Sequence, residues 1–149
     1  MKMYKHSIIL SLCCIGLSLF LFACNKAEDV SDGIEKAPSK LVVISSCGDR
    51  EVALTMVYPY THNSKINGWW DEVEFILWGQ SAIKVVDDKE QQDYIRKMKE
   101  AGIALTASQA SADFYGIAEK LTDIGFTVQT LGERLTELLK DDTVRVITF

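Results

Sequence analysis

Short apolar runs alternate along this chain with stretches whose apolar residues recur at helical spacing. Residues 41–44, 73–78, 103–106, 126–130 and 143–149 are runs in which Val, Ile, Leu and Phe dominate, and such runs are typical of buried strands. Residues 50–68, 81–86, 89–101, 114–124 and 131–140 lie between or after them and favour helices. Parallel strands need crossover connections, so this alternation predicts one α/β domain with a five-stranded, mainly parallel sheet.

Two helical stretches carry more specific expectations. Pro59 lies inside the first one, where it removes a backbone hydrogen bond, so we expect a kink or break near Tyr58. The stretch 114–124 has i, i+3, i+4, i+7, i+10 spacing and predicts one helix with an inward stripe of Phe114, Ile117, Ala118, Leu121 and Ile124. The last stretch predicts inward positions for Leu135, Leu138 and Leu139.

The amino-terminal segment has the pattern of an export signal. Lys2 and Lys5 precede an apolar run over residues 8–22, which is short for a membrane span and ends at a small residue. The sequence Leu21-Phe22-Ala23-Cys24 resembles the lipobox of bacterial lipoproteins, in which the cysteine becomes the lipidated first residue. We therefore predict a signal peptide over 1–23, a lipidated end and tether over 24–39, and a folded domain over 40–149. A plain signal peptide and an uncleaved anchor helix are the alternatives.

Cleavage before Cys24 would change the chemistry that the chain offers. Losing Lys2 and Lys5 and no acidic residue takes the net charge from −5 to −7, which argues against nucleic acid as a partner. Cys47 would remain as the one thiol, and His62 as the one histidine. An intrachain disulfide and a cysteine–histidine metal centre are therefore not expected, and we predict neither a metal nor a cofactor.

The carboxyl ends of parallel strands meet at one edge of a sheet, and ligands of open α/β sheets bind there where the strand order reverses. Residues 45–49, 79–81, 106–111 and 130–133 are collected at this edge, which we call the rim. Its predicted ligand-binding residues are Ser46, Cys47, Gly48, Arg50, Gly79, Ser81, Ser108, Ser111, Asp113 and Tyr115.

Cys47 is the candidate catalytic residue of the rim. A following helix start and Arg50 both favour a reactive thiolate, whereas Asp49 and Glu51 oppose it. The alternative is a small residue that merely packs after a strand. Arg50 is open to two interpretations as well, since it can hold an anionic ligand or pair with the neighbours of Glu51 on a solvated face.

The other rim residues also have structural interpretations. Ser108 and Ser111 suit a turn and a helix cap, and Asp113 suits the first turn of a helix. His62 is too far along the first helix to activate a serine, so a hydrolase triad is rejected. The pair Trp69-Trp70 favours packing at a sheet edge or at a contact between subunits.

Five segments in order resemble the DsrE/DsrF-like family: Ser46-Cys47-Gly48-Asp49-Arg50-Glu51-Val52-Ala53, Asn67-Gly68-Trp69-Trp70-Asp71-Glu72-Val73, Trp78-Gly79-Gln80-Ser81-Ala82, Ala112-Asp113-Phe114-Tyr115-Gly116 and Leu131-Gly132-Glu133-Arg134-Leu135-Thr136. The resemblance implies a flavodoxin-like, three-layer α/β/α domain that forms homo-oligomers. It also implies a role in sulfur relay, in which a cysteine after the third strand carries persulfide sulfur. Ser108 and Ser111 stand where related domains often have cysteines, and a hydroxyl cannot hold a persulfide.

These observations lead to a lipid-anchored envelope domain that binds a small sulfur-containing or anionic ligand, or a partner, without catalysis. Two alternatives stay open: a sulfur-transfer protein with Cys47 as the carrier thiol, and a purely structural oligomeric module. Asn25 after the lipidated cysteine favours the outer membrane, facing the periplasm, by resemblance to bacterial sorting rules.

Overall fold

Five parallel strands form the centre of the domain in a computed structural model, which describes residues 37–149. The strands are β1 (Lys40–Ser45), β2 (Glu72–Leu77), β3 (Ala104–Ser108), β4 (Thr127–Gln129) and β5 (Val144–Thr148), in the order β4-β3-β2-β1-β5. Every strand pair is parallel, in register from Lys40 opposite Glu72 and Val144. The predicted α/β fold with a five-stranded sheet is confirmed.

The helices are α1 (Arg50–Val52), α2 (Tyr58–Ile66), α3 (Gln80–Val86), α4 (Lys89–Glu100), α5 (Gln109–Tyr115), α6 (Ala118–Ile124) and α7 (Gly132–Lys140), and a π-helical segment (Ala53–Val57) joins α1 to α2. The chain steps from β1 to β4 in one direction and then returns to place β5 beside β1. Right-handed crossovers therefore put α1 to α6 on one face and α7 on the other. The result is a three-layer α/β/α arrangement with unequal outer layers.

Each face of the sheet has its own core. Val43, Phe75 and Leu77 point to the six-helix face, where they pack with buried residues such as Tyr58 and Met98. The opposite core is smaller and consists of Val42, Ile44, Ile76, Leu131, Leu138 and Val144. β1 contributes to both cores, as its unbroken apolar sequence predicts.

The interruption expected near Tyr58 is the π-helical segment. The Tyr58 N–H donates to the Ala53 carbonyl, five residues back, immediately before Pro59, which has no N–H to donate. Thr61 Oγ1 donates to the Val57 carbonyl at 2.6 Å. This side-chain hydrogen bond supports the helical turn that contains Pro59. The proline thus changes the hydrogen-bonding pattern without ending the helix.

The single helix predicted over 114–124 is wrong. Gly116 adopts φ 64° at the end of α5, and α6 begins afresh at Ala118. The break removes Phe114 from the stripe, and its side chain is 83% exposed. In α7 the predicted inward position of Leu139 is also wrong, because Leu138 is buried and Leu139 is exposed.

No helix within residues 37–149 is long and apolar enough to cross a membrane. The predicted signal peptide over 1–23, the lipidation residue Cys24 and the tether as far as residue 36 lie outside the described residues.

Candidate functional site

The rim is the edge of the sheet at which all five strands end. β1 has β2 on one side and β5 on the other, so the strand order reverses between β1 and β5. Ligands of open α/β sheets bind in the crevice at such a point. Residues 46–49, which follow β1, border this crevice.

The loop after β1 is tied to the end of β5. The backbone N–H and the hydroxyl of Ser46 both donate to the Phe149 carbonyl, each at 2.8 Å, and the Cys47 N–H donates to it at 3.3 Å. On the other side, the Trp78 N–H donates to the Ser45 carbonyl at 2.9 Å. These bonds hold residues 45–47 between the ends of β2 and β5, the two strands that flank β1.

The Cys47 thiol is exposed at this fixed position. Its Sγ accepts a hydrogen bond from the Asp49 N–H at 3.4 Å, and the Asp49 carboxylate caps α1 by accepting from the Val52 N–H at 3.0 Å. The side chain therefore does not fill space in the core, and its reactivity stays a prediction.

Gly48 allows the loop to approach α3 closely. A Cβ at this position would lie 2.9 Å from Gln80 Oε1 and 3.1 Å from Gln80 Cβ, so a larger residue requires the glutamine to move. It would also lie 3.5 Å from Lys84 Cε, which places the Lys84 ammonium group beside the Cys47 loop. Lys84 is not among the predicted rim residues because it lies in the last turn of α3, away from the strand ends. Its side chain extends back toward the rim.

Three of the buried serines of the rim hold backbone segments together through their hydroxyls. Ser81 Oγ donates to the Ser45 carbonyl, which joins α3 to the end of β1. Ser111 Oγ accepts from the Gly79 N–H at 2.8 Å, and Ser108 Oγ caps α5 by accepting from the Ser111 N–H at 3.4 Å. Gly79 meets this geometry with φ 69°, a conformation that favours glycine.

Arg50 is engaged by two acidic residues at the start of α4. Its Nε donates to Asp88 Oδ2 at 2.6 Å, and its Nη2 donates to Glu90. Hydrogen bonds from the Gln91 side chain and backbone, together with the guanidinium, lower the pKa of Asp88 to about 2. Gln91 in turn accepts from the buried Tyr58 hydroxyl at 2.7 Å. Arg50 thus pairs with acids at the start of α4 and not with the neighbours of Glu51, and its role in ligand binding stays a prediction.

Asp113 and Tyr115 lie apart from Arg50. Asp113 accepts from Gln109 Nε2 at 2.7 Å and lines a cleft of about 390 Å³ between α5 and α6. Tyr115 contacts Phe114 edge to face, with ring centroids 5.0 Å apart. Arg50 lines a different cleft, of about 630 Å³, with Leu54, Thr55 and Tyr94 among its lining residues. The predicted rim residues therefore divide between a central group around Cys47 and two flanking clefts.

Sequence reasoning missed a buried charge cluster on the smaller face of the sheet. The Glu74 side chain is 2% exposed, and its Oε2 lies 2.6 Å from Arg134 Nη2 and 3.3 Å from Lys40 Nζ. Thr106 Oγ1 donates to Glu74 Oε1 at 2.9 Å. Burial raises the pKa of Glu74, but the bonds from Arg134 and Thr106 and the two positive charges outweigh burial and lower it. The one available signal was a charged residue inside an apolar strand.

Metal-ligating residues do not cluster in the described part of the chain, where no group of three or more His, Cys, Asp or Glu side chains could hold an ion. His62 lies on α2, toward the end of the helix remote from the rim. The groups at the rim that could contact a ligand are thus one exposed thiol, the Lys84 ammonium group and backbone N–H groups.

Comparison with known proteins gives one informative match. No family model matches the sequence, and no curated protein matches it. A solved structure of a conserved protein of unknown function from Bacteroides thetaiotaomicron is similar, with a TM-score of 0.71 and 32% sequence identity. The match covers 74% of this chain and 95% of that one.

Proposed function

Because the chain belongs to the same family as the conserved Bacteroides thetaiotaomicron protein of unknown function, we propose its function from the site itself. The protein is a DsrE-like binding domain held at the bacterial envelope, facing the periplasm, through a lipid on Cys24. Its rim binds a small anionic or sulfur-containing ligand without catalysis, and the domain works as a homo-oligomer.

The buried hydroxyls of the rim are already hydrogen-bonded, which supports a role in binding and not in catalysis. Ser81 and Ser111 are buried and hydrogen-bonded to backbone groups of neighbouring segments, and the buried Ser108 caps its own helix. A serine nucleophile needs a base within hydrogen-bonding distance, and His62 lies on a remote part of α2. These side chains thus support the shape of a site and have no activating group.

The electrostatics of the central rim favour an anionic ligand. α1, α3 and α5 all begin at this edge. Asp49 and Ser108 cap α1 and α5, whereas α3 has no side-chain cap, so the positive dipole end of α3 faces the rim. The Lys84 stem passes beside Gly48 and adds a positive charge next to Cys47. A sulfur oxyanion such as thiosulfate combines the negative charge with a sulfur atom that a thiol can contact.

The test is the melting temperature of the domain with thiosulfate, with sulfate and phosphate as comparison anions. At ten times its Kd a ligand adds about 1.4 kcal/mol, which is a rise of about 4–8 °C for a domain of this size. We expect thiosulfate to give the larger shift and Lys84→Gln to reduce it. Lys140→Gln, at the end of α7 remote from the rim, is the matched control. Equal shifts in all variants, or none, would contradict anion binding at the rim.

Sulfur transfer by Cys47 is the second candidate, and the exposure of the thiol favours it. In the reaction with thiosulfate, the Cys47 thiolate attacks the outer sulfur. A sulfur–sulfur bond to Cys47 forms, the bond to the sulfite sulfur breaks, and sulfite leaves with the electron pair of that bond. Mass spectrometry would then show one added sulfur atom, with an equal amount of sulfite, and Cys47→Ser would show neither.

The two measurements separate the candidates. A melting shift without added sulfur supports the binding domain, whereas added sulfur on Cys47 supports the carrier. An absence of both would leave the structural oligomeric module as the remaining hypothesis.

A further inference from the structure

The tether joins the folded domain at the edge of the sheet opposite the rim. The Ser39 carbonyl accepts from the Asp71 N–H at 3.0 Å and from the Glu72 N–H at 3.1 Å. The Ser39 N–H donates to the Thr143 carbonyl at 3.0 Å. The last residue before β1 is therefore held between the loops that precede β2 and β5, and residues 70–72 lie directly beside it.

Two large apolar side chains are exposed next to this junction. Trp69 is 59% exposed and Ile66 is 55% exposed, and both belong to the last turn of α2 and its carboxyl-terminal cap. The Trp69 ring packs against Tyr60, with centroids 6.5 Å apart, so its other face is left to solvent. Lys65 lies in the same turn and donates to the Asp71 carbonyl at 2.6 Å.

The turn presents Trp69 in a fixed position. α2 ends in a Schellman motif: the Trp69 N–H donates to the Ser64 carbonyl at 3.1 Å and the Gly68 N–H donates to the Lys65 carbonyl at 3.1 Å. Gly68 takes φ 66°, which the motif requires. An exposed indole is thus held on ordered backbone, and a surface that binds through it loses little conformational entropy.

We propose that Trp69 and Ile66 dock the domain on the phospholipid bilayer that holds the lipid of Cys24. This inference rests on the proposed lipid anchor. The predicted tether over residues 25–39, taken at the reach of a random-coil linker, would span about 20 Å, so a lipid on Cys24 would keep the junction at Ser39 close to the membrane surface. Trp prefers the interface between lipid and water because its ring is apolar and its N–H is polar.

The bilayer fits this surface better than a second copy of the chain does. A stable protein interface buries about 800 Å² on each partner, and two side chains on one turn provide only a small part of that area. A weak lipid contact suffices here, because the tether makes docking an intramolecular event. Docking through this edge directs the rim, with Cys47, away from the membrane and toward soluble ligands.

The experiment uses the full chain with its native lipid, inserted in phosphatidylcholine vesicles that contain a brominated lipid. Bromine quenches tryptophan emission only at short range. We expect the brominated lipid to remove most of the emission that Trp69 contributes. Trp69→Phe should lose this quenching, while Trp70→Phe and Trp78→Phe keep it, and circular dichroism checks that each variant is folded.

The mass of Cys24, measured on the same sample, separates the two proposals. An unmodified Cys24 would overturn the lipid anchor and the docking together. A lipidated Cys24 without quenching of Trp69 would overturn the docking and leave the anchor intact. Emission from Trp69 that moves to shorter wavelength as protein density rises, without quenching by the brominated lipid, would assign the surface to a second copy and overturn the lipid docking.

Discussion

Replacement of Glu74 by Gln tests the buried charge cluster beneath α7. The side chain is 2% exposed and accepts from Arg134 at 2.6 Å and from Thr106 at 2.9 Å, with Lys40 Nζ at 3.3 Å. Removing one partner of a buried ion pair costs about 3–5 kcal/mol. Arg134 and Lys40 are 36% and 24% exposed, so water can solvate the cations that are left. We therefore expect a loss at or just below the lower limit of that range, about 2–3 kcal/mol.

The pH dependence of this loss follows from the lowered pKa of Glu74. An acid with a lowered folded-state pKa stabilises the fold fully above its unfolded-state pKa, which is about 4.3 for Glu. The contribution disappears as the pH falls through the folded-state value, because the unfolded chain takes up the proton first. The difference between wild type and Glu74→Gln should thus be constant near pH 7 and shrink below about pH 4.3.

Urea unfolding of a soluble form that begins at residue 37, followed by circular dichroism at pH 7 and in steps below pH 4.3, measures both effects. Glu72→Gln is the matched control, because Glu72 lies on the same strand with a side chain that is 73% exposed and 4.0 Å from Lys40 Nζ. We expect the control to change stability by less than about 0.5 kcal/mol. A loss below about 1 kcal/mol for Glu74→Gln at pH 7, or a difference that persists unchanged in acid, would refute the assignment.

Three further substitutions test the backbone geometry and the buried contacts of the domain. Gly68→Ala should cost about 1 kcal/mol in urea unfolding, because the residue has φ 66° and nothing within 4 Å of a new Cβ to compensate. Ser111→Ala should cost about 1–2 kcal/mol, because the Gly79 N–H loses its acceptor at 2.8 Å. Tyr58→Phe should cost about 1–2 kcal/mol, because it removes the buried hydrogen bond to Gln91.

Each of these three substitutions has a contradicting result or a control variant. An unchanged urea midpoint for Gly68→Ala would mean that the turn adopts another conformation. For Ser111→Ala, Thr136→Ala on the exposed face of α7 is the control, since its hydroxyl donates to the Gly132 carbonyl within a helix that is already bonded. If Tyr58→Phe cost no more than Tyr115→Phe, the hydrogen bond to Gln91 would carry no net stability.

Much of the architecture is accessible from the sequence because strands buried on both faces have a strong pattern. The unbroken apolar run of β1, with residues 42 and 43 in opposite cores, identifies a central strand. Strand–helix alternation then predicts parallel pairing. The one-sided distribution of helices follows only from the strand order, which local periodicity does not contain. Gly116 shows the same limit at short range, since a glycine within a periodic stretch does not reveal which backbone conformation it takes.

The site was less predictable because its contacts join residues that are distant in the chain. The position of Cys47 depends on Ser46 bonding to Phe149, 103 residues away. Arg50 could be placed at a helix start from its neighbours, but its partners Asp88 and Glu90 belong to another helix. The cluster around Glu74 needs strand register, which sets residues 74 and 106 side by side. Its pattern in sequence is a single acid in an apolar run.

The return of the chain to place β5 beside β1 has a consequence for synthesis on the ribosome. β1 to β4 join neighbours along the chain, so each can pair soon after it emerges. β5 must instead close a loop of about a hundred residues, and such long-range pairing is the slow part of folding. Until it does, one side of β1 is an open edge able to pair with other chains. In the nascent chain this side of β1 therefore stays open to pairing until residues 144–148 have been made.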